Sequence, residues 1–150
     1  MKKEFVMRGQ TETTAGQNTE VLNFSGYKPG YAYRLIEFQL YPSTNIGVAD
    51  YEYCASITAG KTSIVPAYPN FNDDALVATA LCADNPSTSS PIGFTSVIND
   101  TFLITQNLIL TVHDSGGSAL ACNWQCRFVS VKMTGPEEAA TNFKQFAISD

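Results

Sequence analysis

Two cysteines flank the only tryptophan of the chain in the segment ACNWQCRF, residues 121–128. Thiols at this spacing could bind a metal ion, form a disulfide or act as a redox pair. The β-branched and aromatic content of WQCRFVSV instead predicts an extended strand, in which Cys122 and Cys126 face the same way about 13 Å apart. A disulfide requires Cα atoms within about 7 Å, so these thiols are too far apart to bridge or to share one ion. We therefore expect Cys122, Trp124, Cys126 and Phe128 to be core residues of a strand.

Other cysteine pairings stay open at this point. Cys54 and Cys82 could each join Cys122 or Cys126 across strands, and the sequence does not choose among the connectivities. The N-terminus MKKEFVMRGQ has two lysines but only the short apolar run FVM, which predicts no signal peptide. We therefore expect synthesis in the cytoplasm, where thiols stay reduced.

The residues that usually perform catalysis form no recognisable set. His113 is the only histidine, and no G-x-S-x-G elbow is present to expose a serine nucleophile. The GGS segment at 116–118 lies in a predicted hairpin, whereas a phosphate-binding loop joins a strand to a helix. We expect no enzyme activity, no catalytic residue and no cofactor.

Acidic pairs suit structural roles better than acid–base or metal chemistry. Asp73–Asp74 lies in a polar loop, and Glu137–Glu138 lies where a helix is predicted to begin, a position that favours negative charge. The segment NFNDD (70–74) contains oxygen ligands but lacks the spacing of a calcium-binding loop. No metal site is expected.

Tyrosine is concentrated between residues 27 and 53. Strand YAYRLIEFQLYP (31–42) alternates, which predicts one face of Ala32, Ile36, Phe38 and Leu40 and a second face of Tyr31, Tyr33, Leu35, Glu37, Gln39 and Tyr41. Both faces are rich in apolar surface, so we expect both to be covered. The candidate contact residues are Tyr31, Tyr33, Tyr41, Tyr51 and Tyr53. From the sequence they could form the inside of a sandwich, a subunit interface or a face that stacks on carbohydrate.

The remaining pattern is that of short strands separated by turns. Strands are predicted at 4–8, 50–58, 74–83 and 101–114, the last interrupted by Gln106–Asn107. Gly116–Gly117 predicts a hairpin that joins 101–114 to a partner strand at 121–133. The polar segment 9–20 is expected to be an exposed arm or a long loop.

A helix is predicted over 134–148 at the C-terminal end. Thr134 suits the N-cap, and Glu137 follows three residues later, as in a capping box. The predicted fold class is therefore all-β, an antiparallel β-sandwich or jelly roll with a short C-terminal α-helix, formed by residues 1–150 as one domain.

Composition excludes some partners. The formal net charge is −5, charged residues make up 15% of the chain, and no basic cluster follows Lys2 and Lys3. Nucleic-acid binding requires clustered cations, so no nucleic-acid partner is expected. No apolar run approaches the roughly 18 residues of a membrane span, so no membrane partner is expected either.

The segments VINDTFLITQNLIL and NWQCRFVSVKMTGPEEAATNFKQFAISD, within residues 97–150, resemble small virion structural proteins of marine bacteriophages. A looser similarity covers VLNFSGYKPGYAYRLIEFQLYPS. The resemblance implies a non-enzymatic capsid decoration or cement protein located in the virion. Its implied partners are further copies of itself, for example in a trimer, and the major capsid protein or other virion proteins.

Two other function classes would suit a β-sandwich or jelly roll of this length. A glycan- or receptor-binding β-sandwich module of a phage tail or spike would use exposed tyrosines to stack on sugar rings. A trimeric dUTP-hydrolysing jelly roll would have this length, but its glycine-rich and aspartate-containing motifs are not found in the sequence.

Overall fold

The computed structural model describes residues 3–13, 18–24, 29–43, 50–60, 65–85, 90–115 and 120–141. Within these ranges the chain forms eight strands: β1 Glu4–Thr11, β2 Asn18–Leu22, β3 Tyr31–Pro42, β4 Tyr51–Ala59, β5 Leu76–Asn85, β6 Ser90–Ile98, β7 Leu108–Asp114 and β8 Cys122–Lys132. Helix α1 covers 135–141. The predicted all-β class with a short helix near the C-terminus is confirmed.

The strands form two antiparallel sheets that pack face to face. One sheet has three strands in the order β1-β8-β3, and the other has five in the order β2-β7-β4-β5-β6. The first strand pairs with the last, β2 with β7, and β4 with β5, while β3 contacts β6. This nesting of strand pairs is the double Greek key of a jelly roll.

The predicted hairpin between β7 and β8 is wrong, because the two strands belong to different sheets. The apolar face of β8 packs over the core, opposite the inward side chains of β7, and face-to-face packing of this kind buries both faces. Gly116–Gly117, which suggested the hairpin, lies outside the described residues. The strand predicted at 101–114 forms only in part, since β7 begins at Leu108 and, before it, Ile104 makes only an isolated bridge with Tyr33 of β3.

Alternation along the central strands positions the core. In β8 the residues at even positions from Cys122 to Phe128 are buried, as predicted, and the intervening ones are half-buried. In β4 the predicted inward face is also confirmed by burial, and its members are Tyr51, Tyr53, Ala55 and Ile57. Segment 74–83, whose alanine and leucine residues would suit a helix as well as a strand, supplies most of β5.

The predicted faces of β3 hold for only part of the strand. A bulge between Leu35 and Glu37 inserts Ile36 as an extra residue, so the alternation changes phase there. Leu35 is fully buried and Ile36 is exposed, the reverse of the prediction. Phe38 and Leu40 face inward and are buried as predicted, whereas Ala32, which pairs with Val131, is buried on the opposite face.

A glycine in β1 makes room for the only indole. Gly9 lies opposite Trp124 of β8, and a Cβ atom at position 9 would be 2.9 Å from Cζ2 of the indole. The indole Nε1 donates a hydrogen bond to Oγ1 of Thr11 at 2.9 Å. The buried ring is therefore fixed both by close packing and by a satisfied polar group.

The segment expected to be an exposed arm or a long loop, 9–20, belongs in part to the sheets. Segment 9–20 is not an arm throughout, because 9–11 complete β1 and 18–20 begin β2, where backbone groups pair with β8 and β7.

The Thr134 backbone N–H donates to Glu137 Oε1 at 3.0 Å, and the Glu137 N–H donates to Thr134 Oγ1 at 3.3 Å. This reciprocal pair is the predicted capping box. Residues 142–148 of the predicted helix lie outside the described residues.

Candidate functional site

The two cysteines beside the tryptophan are packed into the core. Cys122 and Cys126 are fully buried on the inward face of β8, four residues apart along an extended strand. Burial raises the pKa of each thiol from 9.0 to about 12. All four cysteines of the chain are free. The thiols of β8 are therefore protonated at neutral pH and act as small apolar side chains.

The five candidate tyrosines do not form one surface. Tyr51 and Tyr53 are buried in the core, with stacked rings whose centroids are 4.9 Å apart. The Tyr53 hydroxyl donates to the carbonyl oxygen of Ala121 at 3.0 Å, which ties the start of β8 to the opposite sheet. Burial raises the pKa of Tyr51 to about 12, and the nearby Asp84 carboxylate acts in the same direction.

The tyrosines of β3 are separated by the bulge. Tyr31 and Tyr33 are half-buried on the same face as Leu35, and Tyr33 packs edge-on against Phe5 of β1 with ring centroids 5.4 Å apart. Tyr41 lies beyond the bulge on the outward face and is 61% exposed. Of the five, Tyr41 is the one whose ring is open to a ligand or partner.

Tyr41 borders a cleft of about 420 Å³ at the β3 edge of the three-stranded sheet. Its lining includes Arg8, Gln39, Asn123 and Gln125 from that sheet and Phe94 from β6 of the other sheet. These residues were not singled out in the sequence. The polar positions that alternate with the β8 core residues signal an outward face, but only the strand pairing places them beside Arg8 and Gln39.

A second surface covers the outward side of the five-stranded sheet at β5 and β6. A groove of about 400 Å³ runs there between the sheet and the 65–75 segment. The exposed apolar side chains that line it are Leu81, Val97 and Phe71. We call these three residues the apolar patch. The sequence signal for the apolar patch was the run ALVATALCA. Apolar residues at successive positions of a strand place apolar side chains on both of its faces, one of which lies away from the core.

Cys54 lies in the same groove and is half-buried. Its Sγ contacts the His113 carbonyl oxygen at 3.7 Å and Ser115 Oγ at 3.6 Å. Burial raises the pKa of the Cys54 thiol, while the hydrogen bond to Ser115 lowers it. His113, the only histidine, is half-buried in β7, and the atom that Cys54 contacts is its backbone carbonyl oxygen.

The acidic segment 70–74 forms turns. Asn70 Oδ1 accepts the backbone N–H of Asn72 at 3.0 Å, and Asp73 Oδ1 accepts that of Ala75 at 2.9 Å. These side-chain oxygens stabilise the local backbone, as is usual for Asn and Asp in turns. Among the described residues, no three His, Cys, Asp or Glu side chains are grouped as metal ligands would be. No helix in the described ranges has the length and hydrophobicity of a membrane span.

No family model matches the chain, and no curated protein matches it. Among the solved structures that align with it is that of Cocksfoot mottle virus, at 11% identity and a TM-score of 0.41. The alignment covers 93% of this chain and all of the viral chain. The jelly-roll assignment rests on the strand order and pairing, and a similarity of this size adds no functional information.

Proposed function

We propose that this chain is a structural protein of a virus particle, and that copies of it associate through the apolar patch. The observation that carries the proposal is the concentration of exposed apolar side chains on one side of the sandwich. Jelly rolls occur both in viral capsids and in lectins, so the fold alone does not decide between these functions.

The apolar patch has the character of an interface core. Leu81 is 47% exposed, Val97 50% and Phe71 63%. Thr79 is paired with Val97 and Leu81 with Thr95, which makes Leu81 and Val97 diagonal neighbours on adjacent strands. Contiguous exposed apolar area is typical of protein–protein contacts, whereas single exposed apolar residues are ordinary.

A second copy of this chain is the occupant that we propose. The three side chains of the patch are uncharged, while Glu52 lines the same groove and Asp73 lines a neighbouring one. Copies that associate through this patch would bury apolar surface against apolar surface. The finer proposal, a decoration or cement protein of a bacteriophage capsid that forms trimers, rests on the resemblance over residues 97–150.

Light scattering coupled to size-exclusion chromatography tests the association. Leu81→Asp and Val97→Asp each place a charge in the patch, and we expect either to weaken association by at least about ten-fold, because a buried unpaired charge is costly. Val21→Asp is the matched control, since Val21 is exposed on the same side of the same sheet but on β2, at the opposite edge. Folding of each variant is checked by denaturant unfolding.

Two results would contradict the proposal. The first is a wild-type chain that stays monomeric at millimolar concentration. The second is an association that Val21→Asp weakens as much as Leu81→Asp does. The virion assignment has a separate test, which is mass spectrometry of purified phage particles. Peptides of this chain should band with the particles in a density gradient, and their absence from that band would overturn the assignment.

A further inference from the structure

The outward face of the three-stranded sheet carries three cross-strand rows of side chains. The rows run from β1 through β8 to β3, and they are Val6–Arg127–Glu37, Arg8–Gln125–Gln39 and Gln10–Asn123–Tyr41. Residues directly opposite each other in an antiparallel sheet share a face, so each row is a set of neighbours. The second and third rows contribute five side chains to the 420 Å³ cleft.

The outer two rows have internal polar partners. Arg127 Nε is 3.1 Å from Glu37 Oε2 in the first row. Gln10 Nε2 donates to Asn123 Oδ1 at 2.9 Å in the third. Each of these two rows therefore contains one polar contact between side chains of neighbouring strands.

The middle row is different. Arg8 and Gln39 are exposed and Gln125 is half-buried. Within the part of the chain that the structure describes, none of these three side chains forms a hydrogen bond or an ion pair. One guanidinium and two amides thus present unused donors and acceptors in a line along the floor of the cleft.

Two aromatic rings flank this line from different sheets. Tyr41 of β3 is 61% exposed, and Phe94 of β6 is 44% exposed; both line the cleft. Sugars have hydroxyl groups around the edge of the ring, which need hydrogen-bond donors and acceptors, and C–H faces that stack on aromatic rings. The cleft volume lies within the roughly 300–1,000 Å³ of small-ligand sites.

We propose that this cleft binds an oligosaccharide. Gln39 and Gln125 bind hydroxyl groups, each amide as both donor and acceptor, while Tyr41 and Phe94 stack on the ring faces. Arg8 has donors only, so it contacts a hydroxyl oxygen of a neutral sugar or the carboxylate of a uronate. The proposal does not depend on the self-association described above, because no residue lines both the cleft and the groove of the apolar patch.

Titration with oligosaccharides of defined composition tests the proposal. One arm uses neutral hexasaccharides of glucose, galactose or N-acetylglucosamine, and the other uses the same chain lengths with uronate units. Trp124 borders the cleft, so its fluorescence reports binding alongside calorimetry. Binding should saturate in at least one arm, and an Arg8→Gln variant should lose affinity more for uronates than for neutral sugars if a carboxylate is the contact.

Tyr41→Ala should reduce the affinity about ten-fold, the size expected when a stacking ring is lost. Gln125→Ala should also reduce it, with the thermal midpoint almost unchanged. Tyr68→Ala is the matched control, because Tyr68 is exposed in the 65–75 segment and does not line the cleft. Leu81→Asp should leave sugar affinity unchanged whatever it does to self-association. Absence of binding in both arms, or equal losses in Tyr41→Ala and Tyr68→Ala, would overturn the proposal.

Discussion

The central strands of the two sheets differ on their outward sides. In β8 the outward residues from Asn123 to Arg127 are polar and half-buried, so along this stretch the outer face of the three-stranded sheet reaches solvent. In β4 the outward residues Ser56 and Thr58 have no exposed surface. The five-stranded sheet is therefore closed on both faces along the second half of its central strand.

This difference explains why one fold offers two unlike surfaces. A strand covered on one face keeps polar side chains in solvent, where they can bind a polar ligand. A sheet with a largely enclosed outer face exposes apolar residues where that enclosure ends, here at Leu81 and Val97. The sandwich thus has a cleft that contains a row of polar side chains at the three-stranded sheet, and an apolar patch on the outward side of the five-stranded sheet.

The sharpest test of the difference is an aspartate at matched outward positions of the two central strands. Ser56→Asp should lower the free energy of unfolding by about 3–5 kcal/mol, because a carboxylate without a partner would be enclosed. Gln125→Asp should change it by less than about 1 kcal/mol, because that position reaches solvent. Urea denaturation followed by tryptophan fluorescence measures both.

Ser56→Ala controls for the loss of the hydroxyl. Among the described residues Ser56 Oγ has no hydrogen-bond partner, so its removal should be nearly neutral. If Ser56→Asp and Gln125→Asp had equal effects, the proposed contrast between the sheets would be wrong.

Alkaline pH is expected to have an intermediate effect on the free energy of unfolding, because the two thiols on the inward face of β8 titrate. Burial raises the pKa of Cys122 and Cys126 from 9.0 to about 12, so between these values the folded chain keeps protons that the unfolded chain releases. Stability is therefore full below pH 9 and falls as pH rises toward 12, with each thiol contributing a slope of up to about 1.4 kcal/mol per pH unit.

Denaturant midpoints measured from pH 7 to pH 11 test this expectation. Cys126→Ala removes one of the titrating groups and should make the decline less steep, although it lowers stability at pH 7. Cys54→Ala, which alters the outward groove, is the control and should change the slope less. A stability that stays constant to pH 11 would contradict the burial of the β8 thiols.

The smallest effect is expected in the first row of the three-stranded sheet. The Arg127 and Glu37 side chains are 37% and 40% exposed, so their ion pair is screened by solvent. Glu37→Gln should lower the free energy of unfolding by less than about 1 kcal/mol, and less in 1 M salt. A loss above about 2 kcal/mol would show that this face is covered after all.

The sequence determined the fold class and much of the core. Alternation in ACNWQCRF and DYEYCASIT identified the inward faces of β8 and β4, because side chains of a strand point to opposite sides in turn. The capping box at Thr134 and Glu137 marked the start of α1, because its hydrogen bonds are local. The same reasoning ruled out cooperation between Cys122 and Cys126, which depends only on their spacing in an extended strand.

Tertiary structure alone decided the partners of each strand. Turn chemistry suggested that β8 pairs with β7, but its partners are β1 and β3, whose paired residues lie at least 80 positions earlier in the sequence. A bulge at Ile36 reversed which residues of β3 before it face inward. A one-residue bulge of this kind cannot be predicted from an alternation of apolar and polar residues, because the alternation assumes an unbroken period of two. The Arg8–Gln125–Gln39 row joins three distant segments, so no local pattern could place its members side by side. Contacts of this kind are set by sheet register, which is fixed only when the whole core packs.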